Sequence, residues 1–167
     1  MSEAAAGLAA IPHIAGIEPH PLAVAMRESL WLYPTVESLH IAGIAGLFGT
    51  ILLLDLRLLG LGASLSVSAL MRLVVPMALV ALGLVVATGS LMFIAHAHEF
   101  LASPLFVYKL GLIMLLLTNA LVLHLREPMH RRQGYAPALG AVSRIQVLVS
   151  MLGWLAVIGL GRWLAYV

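Results

Sequence analysis

Cysteine is absent from this chain of 167 residues. Its absence excludes disulfides, thiolate metal sites, iron–sulfur clusters and haem attached covalently through a CxxCH motif. Any metal or cofactor in this protein would therefore be held by histidine, methionine or oxygen atoms.

Charged residues are also scarce. Asp, Glu, Lys and Arg make up only 10% of the chain, whereas 62% of the residues are hydrophobic, and the mean hydropathy is +1.08. A soluble domain needs more polar surface than this to cover its core. The composition therefore predicts an integral membrane protein. The net charge of +2 carries no nucleic-acid signal, because the basic residues flank apolar segments instead of forming a patch.

Four apolar segments are long enough to cross a bilayer, which takes roughly 17 to 25 mostly apolar residues. Short connectors make neighbouring segments antiparallel, so the sequence predicts an all-α, integral membrane, up-down four-helix bundle. The predicted division is an N-terminal segment at residues 1–33 and a transmembrane domain at 34–167, with spans at about 34–59, 70–97, 105–125 and 142–164.

The N-terminal segment differs in character from the spans. Pro12, Pro19 and Pro21 interrupt it before a stretch, Leu22 to Tyr33, that is predicted to form a short amphipathic helix. The aromatic rings at its end suit the headgroup level of a membrane. We expect this helix to lie on the periplasmic face, either as a simple anchor or as a lid over a site.

Lys and Arg residues predict the orientation of the chain, because cytoplasmic loops hold the excess of positive charge. One side would carry Arg57, Arg72, Arg126, Arg131, Arg132 and Arg144, and the other Arg27, Lys109 and Arg162. The first side is therefore predicted to be cytoplasmic. Both termini would then be periplasmic, in a multi-pass protein of the bacterial inner membrane.

Two histidines in the spans suggest a cofactor. His40 lies about two turns into the first span and His96 near the end of the second, so in antiparallel helices both approach the periplasmic side. A b-type haem takes one neutral imidazole nitrogen on each face of the porphyrin. We therefore predict His40 and His96 as axial metal ligands, with Gly43 and Gly89 making room for the ring.

The glycines and the nearby lysine each have a second interpretation. Gly43, Gly46 and Gly49 form a stripe of small residues, which also allows membrane helices to pack closely without a cofactor. Lys109 begins the third span on the periplasmic side, where its charge would offset a haem propionate. It would equally extend to the interface as an ordinary lysine.

Two other histidines leave alternatives open. His98 is two positions, or about 200°, from His96, so only one of the two can face a haem in a continuous helix, and either is a candidate ligand. His124 lies near the cytoplasmic end of the third span. It would cap that helix, bind a second haem or form a hydrogen bond to Asn119.

Several motifs resemble a known family. The run Leu39-His40-Ile41-Ala42-Gly43, later followed by Asp55-Leu56-Arg57-Leu58-Leu59-Gly60, resembles a family of bacterial four-helix inner-membrane proteins, and the likeness continues through Ser103-Pro104, Phe106, Lys109 and Asn119. That family is distantly similar to copper-resistance membrane proteins of the CopD type and to small membrane b-type cytochromes. The resemblance implies a membrane bundle and, more remotely, a redox or copper function.

The leading functional prediction is a b-type cytochrome subunit. It would pass electrons between a periplasmic redox partner and quinone or another membrane component, as a non-catalytic subunit of a complex. One alternative is a copper-handling protein with a site made of His40, His96, His98 and Met92. Another is a cofactor-free scaffold subunit whose glycines pack helices.

Overall fold

The computed structural model describes residues 20–126, 139–164 and 166, and the regular structure in these ranges is entirely helical. The described helices are α1 (Pro21–Glu28), α2 (Leu32–Leu58), α3 (Val67–Ala95), α4 (Ala97–Ala102), α5 (Pro104–Arg126) and α6 (Ala141–Trp163). Most of the predicted N-terminal segment, and the basic connector with Arg131 and Arg132, lie outside the described residues.

The helices α2, α3, α5 and α6 are each long and apolar enough to cross a membrane. Their bounds agree with the predicted spans to within three residues, so the prediction of a multi-pass membrane protein is confirmed. Only 6% of the most apolar window of α5 is buried inside the protein. So much exposed apolar surface requires a lipid environment.

The N-terminal amphipathic helix is shorter than predicted. α1 ends at Glu28 and buries Ala23 and Met26, which lie on one face. The Ser29 hydroxyl then accepts hydrogen bonds from the backbone amides of Trp31 (3.4 Å) and Leu32 (3.2 Å). Because the Ser29 side chain satisfies these amides, a new helix begins here. The stretch predicted as one helix, Leu22 to Tyr33, is therefore divided between α1 and the start of α2.

Glycines bring α2 and α3 close together. A Cβ atom built on Gly43 would lie 2.9 Å from the Val85 Cγ2 atom, and one built on Gly46 would lie 3.5 Å from the Ala81 Cβ atom. Around Gly49 nothing lies within 4 Å of such an atom. The first two glycines of the stripe therefore serve close helix packing, and the third does not.

Three clusters of buried side chains follow the length of the molecule. They are Met26, Val36 and Ala95; Leu47, Leu116, Trp154 and Val157; and Leu58, Val67, Met71, Leu123, Leu139 and Val147. The last cluster joins the ends of α2 and α5 to the start of α3 and the residues around the start of α6. All four long helices thus share one core, in which α2 packs mainly on α3, α5 mainly on α6, and α2 also contacts α6.

A buried arginine organises the turn between α2 and α3. The Arg57 guanidinium donates from Nε to the Leu65 carbonyl (2.7 Å) and from Nη2 to the Ala63 carbonyl (3.3 Å). The chain can fold back over Arg57 because Gly60 and Gly62 take positive φ values of 109° and 64°. These bonds satisfy carbonyl groups at a helix end that would otherwise need water.

Aromatic rings fasten the other turn, where α4 connects α3 to α5. Phe93, Phe100 and Phe106 stack on one another, with ring centroids 5.1 to 6.4 Å apart. The sequence predicts only a brief connector here. The structure instead places a short helix in it, held by one ring from each of the three elements.

The packing of α5 against α6 can be tested at Gly153. A Cβ atom there would overlap the end of the Leu116 side chain, which is buried and would have to shift within the packed core. We expect Gly153→Ala to lower the free energy of unfolding in detergent micelles by about 1–3 kcal/mol. The matched control is Gly159→Ala on the same helix, where nothing lies within 4 Å of the new atom. Equal stability of the two variants would contradict the packing.

Candidate functional site

His40 forms a hydrogen bond between two spanning helices. Its Nδ1 atom lies 2.8 Å from the Thr88 hydroxyl on α3, and that hydroxyl lies 2.6 Å from the Leu84 carbonyl. The hydroxyl has one hydrogen, which the short contact to the carbonyl uses. The imidazole therefore donates from Nδ1, and its Nε2 atom is left as an acceptor.

Gly89 makes room for His40. A Cβ atom on Gly89 would lie 3.1 Å from the His40 Cε1 atom and 3.7 Å from Nδ1. Gly89 lies seven positions before His96, so the helical period puts both on one face of α3, where Gly89 is predicted to make room for a haem. In the structure the missing side chain instead accommodates the imidazole of the neighbouring helix.

His96 lies at the break between α3 and α4, where its backbone leaves the helical region with φ −136° and ψ 42°. Its ring is tilted against Tyr33, with centroids 5.4 Å apart. The Arg27 guanidinium donates to the carbonyl of the preceding Ala95 (2.8 Å) and so closes the end of α3. The His96 Nδ1 atom is buried and has no hydrogen-bond partner among the described residues.

The remaining predicted site residues are distributed around these two. His98 is half-buried in the short helix α4. Lys109 extends from α5 toward α6, where a Cβ atom on Gly161 would lie 3.2 Å from its Nζ atom. The structure thus brings His40, Thr88 and Gly89 together and leaves His96 outside this group.

His40 and His96 do not fit a single haem iron in this arrangement. His40 pairs with Thr88 and His96 with Tyr33, so the two levels are seven residues apart on α2 and eight on α3. At 1.5 Å per residue this is roughly 10 to 12 Å along the helices. Two axial ligands must instead bracket one iron atom. At the level of Gly43, one turn from His40, α2 and α3 are in direct contact through Val85.

A copper site built from the predicted ligands meets the same difficulty. Among residues 20–126, 139–164 and 166 there is no group of three or more His, Asp or Glu side chains that could hold a metal ion. Met92 packs against the cluster of Met26, Val36 and Ala95, midway along α3 between Thr88 and His96. His40, on which both metal predictions depend, lies at the level of Thr88.

Sequence reasoning missed Thr88, which contributes the hydroxyl partner of His40. A threonine in an apolar span gives little signal, because its hydroxyl usually bonds within its own helix. The informative signal is the position of Thr88 along its helix. The end of α2 is joined to the start of α3, and the polar residues His40 and Thr88 lie about equally far from that turn. On α5, the Asn119 side-chain amide donates to the Gln146 carbonyl of α6 (2.9 Å).

Comparison of the chain with protein families, with curated proteins and with solved structures finds no match in any of the three. The resemblance to CopD-type proteins and small b-type cytochromes therefore stays a prediction.

The His40–Thr88 bond has a measurable contribution. Thr88→Val removes the hydroxyl while keeping the shape of the side chain, and leaves the imidazole without its partner. We expect the free energy of unfolding in micelles to fall by about 0.6–1.7 kcal/mol, the range for hydrogen bonds between membrane helices.

A matched control separates this bond from the general effect of removing a hydroxyl. Thr118 is exposed, and its hydroxyl donates within its own helix to the Met114 carbonyl (2.8 Å). Thr118→Val should therefore change stability less than Thr88→Val. A double-mutant cycle with His40→Gln measures the coupling directly, and a coupling near zero would show that the bond does not contribute.

Proposed function

We propose that this chain is a cofactor-free scaffold subunit of a membrane complex, in which its histidines hold helices together instead of binding a metal. The observation that carries this proposal is the bond between His40 and Thr88 across a contact lined by Gly89. His40, which the sequence predicts as a haem ligand, is used in this bond between two helices. The glycines expected to open a haem pocket instead allow helices to touch.

The proposal includes the orientation of the chain. One core cluster brings together the ends of α2 and α5 and the region where α3 and α6 begin. This arrangement supports an up-down bundle. Arg57, Arg72, Arg126 and Arg144 lie within or close to the helix termini at that end. By the positive-inside rule this end faces the cytoplasm of the inner membrane, and α1 lies on the periplasmic surface.

A b-type cytochrome is the second candidate, and one observation favours it. The His96 Nδ1 atom is buried without a hydrogen-bond partner among the described residues. A buried polar atom of this kind normally has one, and a ligand would be such a partner. A haem at this position would need a second axial ligand other than His40.

A spectrum and a metal assay of the purified full chain distinguish the candidates. From haem-replete, copper-supplemented cells, the scaffold proposal expects no absorption bands of six-coordinate haem b and less than one copper or iron atom per ten chains. It also expects a complex larger than the 17.8 kDa chain in native gels of gently solubilised membranes. Haem bands that disappear in His96→Gln would establish the cytochrome instead.

Because the chain contains no cysteine, single introduced cysteines report its orientation without background. Ser29 and Glu99 are exposed at one end of the helices and Ala63 at the other. In intact cells with a permeable outer membrane, we expect Ser29→Cys and Glu99→Cys to react with a membrane-impermeant maleimide. Ala63→Cys should react only after the inner membrane is opened. The reverse pattern would invert the proposed topology.

A further inference from the structure

A groove opens between α3 and α5, at the end of the molecule opposite α1. It has a volume of about 520 Å³ and is lined by Ser68, Met71, Arg72, Val75, Pro76 and His124. The packing of the helices explains its position. α3 packs mainly on α2, and α5 packs mainly on α6. α3 and α5 therefore have little contact with each other, and a cleft lies between them.

The groove is polar at its mouth. Ser68 is the second residue of α3, and His124 lies two residues before the end of α5, so both are within about one turn of the helix termini. Arg72 is exposed and long enough to bring its guanidinium to the same level. The six lining residues therefore contribute a cation, an imidazole and a hydroxyl, and none of them is acidic.

The groove is apolar further in. Met71 is only 6% exposed and forms part of the core cluster at this end, and Val75 packs against that cluster. Pro76 lies roughly 13 Å from the start of α3. As a proline it has no amide hydrogen for the Arg72 carbonyl, the acceptor that this position of a helix normally serves. Polarity thus decreases from the rim toward the middle of the helices.

We propose that this groove binds one anionic phospholipid of the surrounding leaflet. The phosphate lies between Arg72 and His124 with the Ser68 hydroxyl as a further donor, and an acyl chain follows Met71 and Val75 inward. A basic pocket between membrane helices at the headgroup level is suited to an anionic headgroup. The volume is in the range of small-molecule sites, and an amphiphile matches a groove that is cationic at the rim and apolar inside.

Lipid-dependent stabilisation of the purified full chain tests the proposal. In an uncharged detergent, phosphatidylglycerol should raise the unfolding temperature, and phosphatidylcholine at the same mole fraction should not. Arg72→Gln should weaken the apparent affinity for phosphatidylglycerol about fivefold, the effect of removing one basic residue near an anionic lipid surface. The double variant Arg72→Gln with His124→Gln should weaken it further.

Arg144→Gln is the matched control, because Arg144 is an exposed arginine near the start of α6 and does not line the groove. It should respond to phosphatidylglycerol as the unchanged chain does. Inorganic phosphate alone should not stabilise the chain, because it makes no contact with the apolar part of the groove. The proposal fails if the Arg72 and Arg144 variants respond equally, or if phosphate reproduces the effect of the lipid.

A measurement on the unchanged chain covers the case in which a variant does not fold. Native mass spectrometry of protein released from mixed phosphatidylglycerol and phosphatidylcholine micelles should show one retained phosphatidylglycerol molecule per chain. Equal retention of both lipids would overturn the assignment. The result on lipid retention is independent of the scaffold proposal. That proposal concerns the opposite end of the helices, and pigment and metal content test it.

Discussion

Polar groups buried between membrane helices must find their partners within the protein, because lipid offers none. In this chain two such hydrogen bonds each join two long helices: His40 with Thr88, and Asn119 with the Gln146 carbonyl. They connect α2 to α3 and α5 to α6. These are the helix pairs that pack most closely, so the polar bonds and the apolar contacts specify the same arrangement.

That arrangement is an open series, α3–α2–α6–α5, in which α3 and α5 are the outer helices. The cleft lined by Arg72 and His124 follows from this order. The two ends of the molecule therefore differ in character. The end near α1 is closed by Arg27 and by the His96 ring against Tyr33, whereas the other end keeps a cleft between α3 and α5.

The sequence predicted the spans well because apolar length is a property of each segment by itself. The site depended on something that no single segment contains, the register between helices. Gly89 and His96 share a face of α3 by periodicity, yet Gly89 packs against His40, because the register of the two helices places Gly43 beside Val85 and Gly46 beside Ala81. The end of α3 at His96 lies close to the predicted end of the second span, but what stabilises this end is not contained in that segment. The tertiary contacts of Arg27 and Tyr33 stabilise it, and both lie far away in sequence.

The stack of Phe93, Phe100 and Phe106 has a consequence for how the chain enters the bilayer. All three rings belong to one stretch of residues 93–106, so this corner closes with little loss of chain entropy and without waiting for α6 to be synthesised. α3 and α5 can then enter the membrane as consecutive spans whose connecting corner is already closed, before α6 follows.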